Sequence, residues 1–130
     1  MLFRSVVCPE GTRGTTYKLR PFKKGPFVLA SAAGVPIVPT LIYGTLAVYP
    51  KGRWWRVRSG TVHVHFLEEL PTEGTTYDDR NAMAALCWRR MADALEREYG
   101  VVSDRSHGNG RTPKGTPPLG EARLTSIVRQ

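Results

Sequence analysis

"VVCPEGTRGTTYKLRPFKKG" spans residues 6–25, and its reading decides how the rest of the chain is understood. The apolar run Val6-Val7-Cys8 breaks into Pro9-Glu10-Gly11-Thr12-Arg13, and Lys18, Arg20, Lys23 and Lys24 follow. A strand that ends this way makes a sharp turn in which Gly11 lets the backbone approach a ligand closely. Free N–H groups in such turns attract anions, and Thr12 adds a hydroxyl donor. Arg13 supplies a planar fork that matches a phosphate bidentately. Glu10 can accept from substrate hydroxyls or hold Arg13 in position. An ordinary strand-end turn with a surface salt bridge would use the same five residues, so both readings stay open here.

The charge pattern points outward to an anionic partner. The 130-residue chain carries a net charge of +8, but unevenly. Residues 1–60 hold ten Lys and Arg against the single acid Glu10. Residues 61–102 hold four basic and eight acidic residues, and the remainder is again basic. Such a front half suits a phosphorylated small molecule, a membrane surface or a nucleic acid, and equally a solvated basic face. The length allows one domain, and a hydrophobic content of 41% excludes wholesale disorder.

The apolar pattern implies an α/β chain. Residues 3–8 read as the end of a buried strand, residues 9–26 as a loop, and residues 27–33 as a short helix capped by Gly34. Residues 35–43, "VPIVPTLIY", read as a buried strand with its prolines at the start and at an edge or bulge. No charged residue occurs from Phe27 to Tyr49, a span long enough to cross a bilayer. Gly34, Pro36, Pro39 and Gly44 interrupt it, so helix followed by strand is the expectation. "RWWRVRSGTVHVHFLEEL" suggests two strands around Ser59-Gly60, the second with Val62, Val64 and Phe66 alternating with a wet face of His63 and His65. Asp78 and Asp79 can cap a helix to about Tyr99, stopped by Gly100, with Ala84, Trp88, Met91, Leu95 and Tyr99 as its buried stripe. From Ser103 on, the Gly-, Pro- and Arg-rich composition predicts a disordered tail, giving domains of 1–102 and 103–130.

Other chemistry finds little footing. No GxxxxGK[ST] is present, and the glycines of "HGNGRTPKG" do not form GxGxxG in a strand-to-helix setting. His63 and His65 share a strand face, but no third ligand suggests itself, so neither a metal nor another cofactor is expected. Cys8 and Cys87 form no CxxC, which suggests reduced thiols. Trp54 and Trp55 among Arg53, Arg56 and Arg58 could stack bases, although no nucleic-acid module surrounds them, and no nucleic acid is expected.

Taken together, "CPEGTRG", "LRPFKKGPFVLA" and "AGVPIVPTLIYG" resemble the phospholipid/glycerol acyltransferases, of the 1-acylglycerol-3-phosphate acyltransferase type. Three blocks in order and at matching spacing carry the resemblance over about residues 3–100, with Cys8 replacing the usual Phe and Gly14 a common Ser. It implies acyl transfer from acyl-CoA or acyl-carrier protein to lysophosphatidic acid, giving phosphatidic acid. Glu10, Gly11, Thr12 and Arg13 would hold the acceptor, with Arg13 on its phosphate. Lys23, Lys24 and Gly25 would form a supporting basic loop, and Val35, Pro36, Ile37, Val38 and Pro39 an apolar block near the acyl and acceptor sites. The implied fold is a mixed β-sheet flanked by helices. The implied setting is peripheral, at the cytoplasmic face of an anionic membrane, with no transmembrane segment in this chain.

One part of the family pattern is missing. Its catalytic pair is His-x4-Asp, upstream of the Glu-Gly-Thr-Arg block, with the His as general base and the Asp orienting it. Here Glu68 lies five residues after His63, Leu70 after His65 and Thr112 after His107. No catalytic residue is therefore assigned within this chain. The expectation is a C-terminal portion of such an enzyme, with a partial sheet, inactive alone because general-base assistance is worth roughly 10²–10⁴ in rate. The alternative is a non-catalytic module that binds anionic lipid.

Overall fold

A computed structural model describes residues 4–52 and 55–108. Helix α3 (Arg80–Tyr99) organises them. It follows a 3-10 turn (Tyr77–Asp79), where the Asp79 carboxylate accepts the Thr76 N–H at 2.8 Å and so satisfies an otherwise orphaned donor. It ends at Gly100, whose φ of 66° few side chains tolerate and whose N–H closes on the Glu96 carbonyl at 2.8 Å. Ala84, Trp88 and Leu95 are buried and Met91 and Tyr99 half-buried, the stripe that the helical spacing predicts.

Two apolar clusters form along this helix. Trp88, Ala92 and Leu95 pack with Leu19 and Leu41, while Met83, Ala84 and Cys87 pack with Phe27 and Leu70. Each fully buried Phe, Leu or Met side chain contributes about 1.5–3 kcal/mol. Helix α1 (Gly25–Ala33) carries Phe27 into the second cluster and ends at Gly34, φ 62°, as its sequence suggests.

The sheet departs from expectation. It has two strands among the described residues, β1 (Thr40–Tyr43) and β2 (His63–Phe66), paired antiparallel with Leu41 opposite His65 and Tyr43 opposite His63. Between them lies a single-turn helix, α2 (Thr45–Val48). Residues 35–39 contribute one bridge, Ile37 to Leu70, because Pro36 and Pro39 lack the N–H groups a ladder requires. Residues 4–8 are irregular and exposed, with Val6 at 98%. Their apolar pattern is that of a strand, but no neighbouring strand takes up their backbone groups among the described residues. Phe3, and Arg53 and Trp54 of the predicted first strand of the pair, lie outside the described residues, and residues 55–58 form no ladder.

The predicted dry face of β2 is exposed, and of the predicted wet face His65 turns inward while His63 stays exposed. Antiparallel partners share a face, so Leu41, Tyr43, His63 and His65 form one side and Ile42, Val64 and Phe66 the other. Helix α3 covers the histidine side: Tyr43 stacks on Tyr99 at 3.7 Å, and His65 Nε2 lies 2.6 Å from the Tyr99 hydroxyl. Val64 and Phe66 are exposed, Phe66 at 76%. Histidine can face inward here because its ring packs as an aromatic while its nitrogen finds a partner.

Order also extends beyond the predicted boundary. Ser103 is buried and its Oγ accepts the Leu19 N–H at 2.9 Å. A 3-10 turn (Arg105–Gly108) follows, with Arg105 on Asp93 and Glu96 of α3 at 3.0 and 2.6 Å. The start of the predicted tail is thus held to the body by Ser103 and Arg105, and residues 109–130 lie outside the described residues.

Candidate functional site

The loop of residues 9–24 is irregular in backbone but pinned at several points. The Lys23 N–H donates to the Pro9 carbonyl at 2.6 Å, and the Gly11 N–H to the Cys8 carbonyl at 3.1 Å. The Glu10 carboxylate accepts the Arg20 N–H at 3.2 Å, and the Arg20 carbonyl accepts the indole N–H of Trp88 at 3.0 Å. Tyr17 stacks on Tyr43 at 4.2 Å. A ligand would therefore meet a turn already ordered by the core, which lowers the entropy lost on binding.

Each predicted site residue can be placed. Gly11 has φ 70°, and a β-carbon there would lie 3.5 Å from Lys23 Cγ and Cε, so backbone conformation rather than lack of room requires glycine. The same contact runs the Lys23 stem past the turn. Thr12 is exposed at the turn. Glu10 braces the loop through Arg20 instead of holding Arg13. Partial burial holds its carboxyl above the ordinary range, offset in part by the Arg20 N–H and charge.

Arg13 faces the segment after α2. One guanidinium nitrogen donates to the Tyr49 carbonyl at 2.6 Å, and the group lies 4.5 Å over the Tyr49 ring. Lys51 Nζ donates to the Arg13 carbonyl at 2.8 Å. The side chain is exposed, and a guanidinium carries five N–H donors, so the fork keeps capacity for a phosphate. Lys51 and the stem of Lys23 thus both touch the turn that carries Arg13. Lys51 and Tyr49 escaped the sequence reading, since their pairing with Arg13 spans 38 and 36 residues. The surplus of cations in residues 1–60 was the one available signal.

The other predicted groups are partly assembled. Lys24 is the residue before α1, and Gly25 opens that helix. Phe22 and Ile37 pack against the same buried cluster around Phe27, so the basic loop and the apolar block share one support. Within that block Val35 and Ile37 are half-buried, Pro36 and Val38 exposed, and Pro39 buried. The Val35 carbonyl accepts the Thr72 hydroxyl at 2.9 Å. Among the described residues no group of three His, Cys, Asp or Glu could hold a metal ion, and no helix is long and apolar enough to cross a membrane.

Known proteins resemble this chain. The sequence model of the family described as Acyltransferase matches residues 4–43, which include the turn, the basic loop and the apolar block. Human 1-acyl-sn-glycerol-3-phosphate acyltransferase beta is 44% identical over 106 residues, 82% of this chain and 36% of the human protein. The sheep alpha enzyme is 36% identical over 118 residues, 91% of this chain and 39% of its own length. The crystal structure of the 1-acyl-sn-glycerophosphate (LPA) acyltransferase PlsC from Thermotoga maritima superposes with a TM-score of 0.61 at 29% identity, covering 74% of this chain and 39% of that one. The chain therefore spans just over a third of the length of these relatives. Through the segment it shares with them, the chain belongs to the acyltransferase family that includes the 1-acyl-sn-glycerol-3-phosphate acyltransferases.

Proposed function

We propose that this chain carries the acceptor-phosphate portion of an acyltransferase of phospholipid synthesis, with lysophosphatidic acid as acceptor and phosphatidic acid as product. The observation that supports this is that the ordered Pro9–Arg13 turn carries an exposed Arg13, with Lys51 Nζ on the Arg13 carbonyl and the Lys23 stem beside Gly11. A phosphate monoester there would meet the exposed guanidinium fork of Arg13 and the turn's backbone, with Lys23 and Lys51 as supporting point charges. In the reaction the acceptor hydroxyl oxygen forms an ester C–O bond while the thioester C–S bond of an acyl-CoA or acyl-carrier donor breaks. The hydroxyl proton passes to a general base, which returns it to the leaving thiolate so that the sulfur departs as thiol.

None of the three histidines has an Asp five residues on, so that base lies outside the residues assigned here. Purified chain should accordingly transfer no acyl group from acyl-CoA to lysophosphatidic acid, and clear turnover would contradict this. A non-catalytic module for anionic lipid is the second reading, favoured by the extended basic surface. The two separate on Arg13→Ala: the acceptor site loses lysophosphatidate recognition, whereas diffuse lipid binding survives because its charge is spread over many cations.

A further inference from the structure

Acceptor recognition makes no use of the histidine side of β2. His63 and His65 lie two residues apart on that strand and so project from one face of it. Their rings are nearly parallel, 19° apart in plane, with centroids 6.5 Å apart. Among the described residues no third His, Cys, Asp or Glu joins them, but folding supplies a donor of another kind. Tyr99, the last residue of α3, sets its ring 6.1 Å from that of His63 and 5.7 Å from that of His65. Its hydroxyl is 2.6 Å from His65 Nε2, across 34 residues of sequence. Two imidazoles and a phenol thus converge between strand and helix.

We infer that His63, His65 and Tyr99 form a binding site for a divalent transition-metal cation, with Cu²⁺ the preferred ion and Zn²⁺ a weaker occupant. The donor set is two imidazole nitrogens and one phenolic oxygen, and mixed N,O sites of this kind suit copper. An imidazole nitrogen binds such an ion at about 2.0–2.1 Å. His63 is exposed, so its ring can turn at χ2 to reach that distance. The phenol is already oriented, because Tyr43 stacks on Tyr99 at 3.7 Å. The setting favours a cation: residues 61–102 hold eight acidic residues against four basic, and Tyr99 stands at the negative end of the α3 dipole.

As the ion enters, the Tyr99 hydroxyl gives its proton to solvent and its oxygen binds the cation, while neutral His63 and His65 each give a ring nitrogen. Water fills the remaining positions. Burial and the nearby Glu98 and Tyr43 hold the Tyr99 hydroxyl protonated above its ordinary range, so the ion must displace a firmly held proton, and Cu²⁺ stands highest in affinity among the first-row divalent ions. Once bound, it would join β2 to the end of α3. Tyr17 of the loop 9–24 stacks on Tyr43, and Tyr43 on Tyr99, so that loop would be braced as well. No residue of the Pro9–Arg13 turn takes part, and the site is independent of the acceptor reading.

The experiment titrates copper(II) chloride into the full chain carrying Cys8→Ser, which removes the exposed thiol as a competing ligand. Saturable binding of a single ion is expected, with a visible phenolate-to-copper charge-transfer band and a rise in melting temperature, since the folded chain alone assembles the site. Tyr99→Phe keeps the stacked ring but should abolish the band and weaken binding at least about tenfold, because even an outer-shell partner is worth roughly 10–100-fold in affinity. His63→Gln, at an exposed position, should weaken binding as much without disturbing the fold. The control His107→Gln, which removes the one histidine outside β2, should change nothing. Absence of the band, unchanged affinity in Tyr99→Phe, or a loss in His107→Gln equal to that in His63→Gln would overturn the proposal. Failure of the acceptor reading shows separately, as lysophosphatidate binding indifferent to Arg13.

Discussion

Arg13 and Tyr49, 36 residues apart, are joined twice: the guanidinium donates to the Tyr49 carbonyl at 2.6 Å and lies 4.5 Å over the Tyr49 ring. This pairing fixes where the Pro9–Arg13 turn stands relative to the segment after α2. Tyr49→Ala should remove the stacking contact, worth about 0.5–1 kcal/mol at an exposed site. The backbone hydrogen bond should remain. Urea titration should show a small fall in midpoint with unchanged slope.

Two glycines with positive φ should respond very differently to alanine. At Gly34, φ 62°, a β-carbon meets nothing within 4 Å, so only conformational strain of about 1–2 kcal/mol is expected. At Gly44 the same strain is joined by a clash with the Thr61 carbonyl, which is backbone and must shift. Gly44→Ala should cost more than about 3 kcal/mol and disturb the pairing of β1 and β2. Thermal unfolding of the two variants side by side measures the difference.

Ser103→Ala should leave the buried Leu19 N–H without its acceptor, at about 1–3 kcal/mol. Amide exchange at Leu19 should quicken in the variant. A chain ending at residue 102 should show the same defect, since the predicted boundary cuts through this contact.

The two thiols should differ in reactivity. Cys8 is exposed and Cys87 buried, and burial pushes the Cys87 thiol up to about 12, against a weaker opposing pull from Arg90. Ellman's reagent should label one thiol quickly and the second only on unfolding. The fold favours protonated Cys87, so its contribution is intact below pH 9 and lost as pH rises from 9 toward 12. Relative to Cys87→Ala, stability there should fall by at most about 1.4 kcal/mol per pH unit.

What the sequence reveals follows from how local each signal is. Helix α3 was legible because its stripe, its capping Asp79 and its Gly100 stop all lie within one segment. Helix α1 and Gly34 were legible for the same reason. The faces of β2 were not, because alternation gives a period without saying which side a helix covers, and Tyr99 chose the histidines. Residues 4–8 look like a strand, but strandedness depends on neighbours that no local pattern supplies. At the site, the turn with Arg13 and Lys23 could be read directly, whereas the approach of Lys51 could not. The turn of Arg13 toward Tyr49, and of Glu10 toward Arg20, depended on contacts formed only by folding.

The most direct measurement is calorimetric binding of monomeric lysophosphatidic acid to the chain and to Arg13→Ala, with monoacylglycerol as the phosphate-free control. A phosphate site centred on Arg13 predicts saturable binding of lysophosphatidate, none of monoacylglycerol, and a loss of about tenfold to a hundredfold in Arg13→Ala, as befits a charge-assisted hydrogen bond of 1.5–3 kcal/mol. Equal affinity of both proteins for lysophosphatidate, or equal binding of the uncharged lipid, would contradict it.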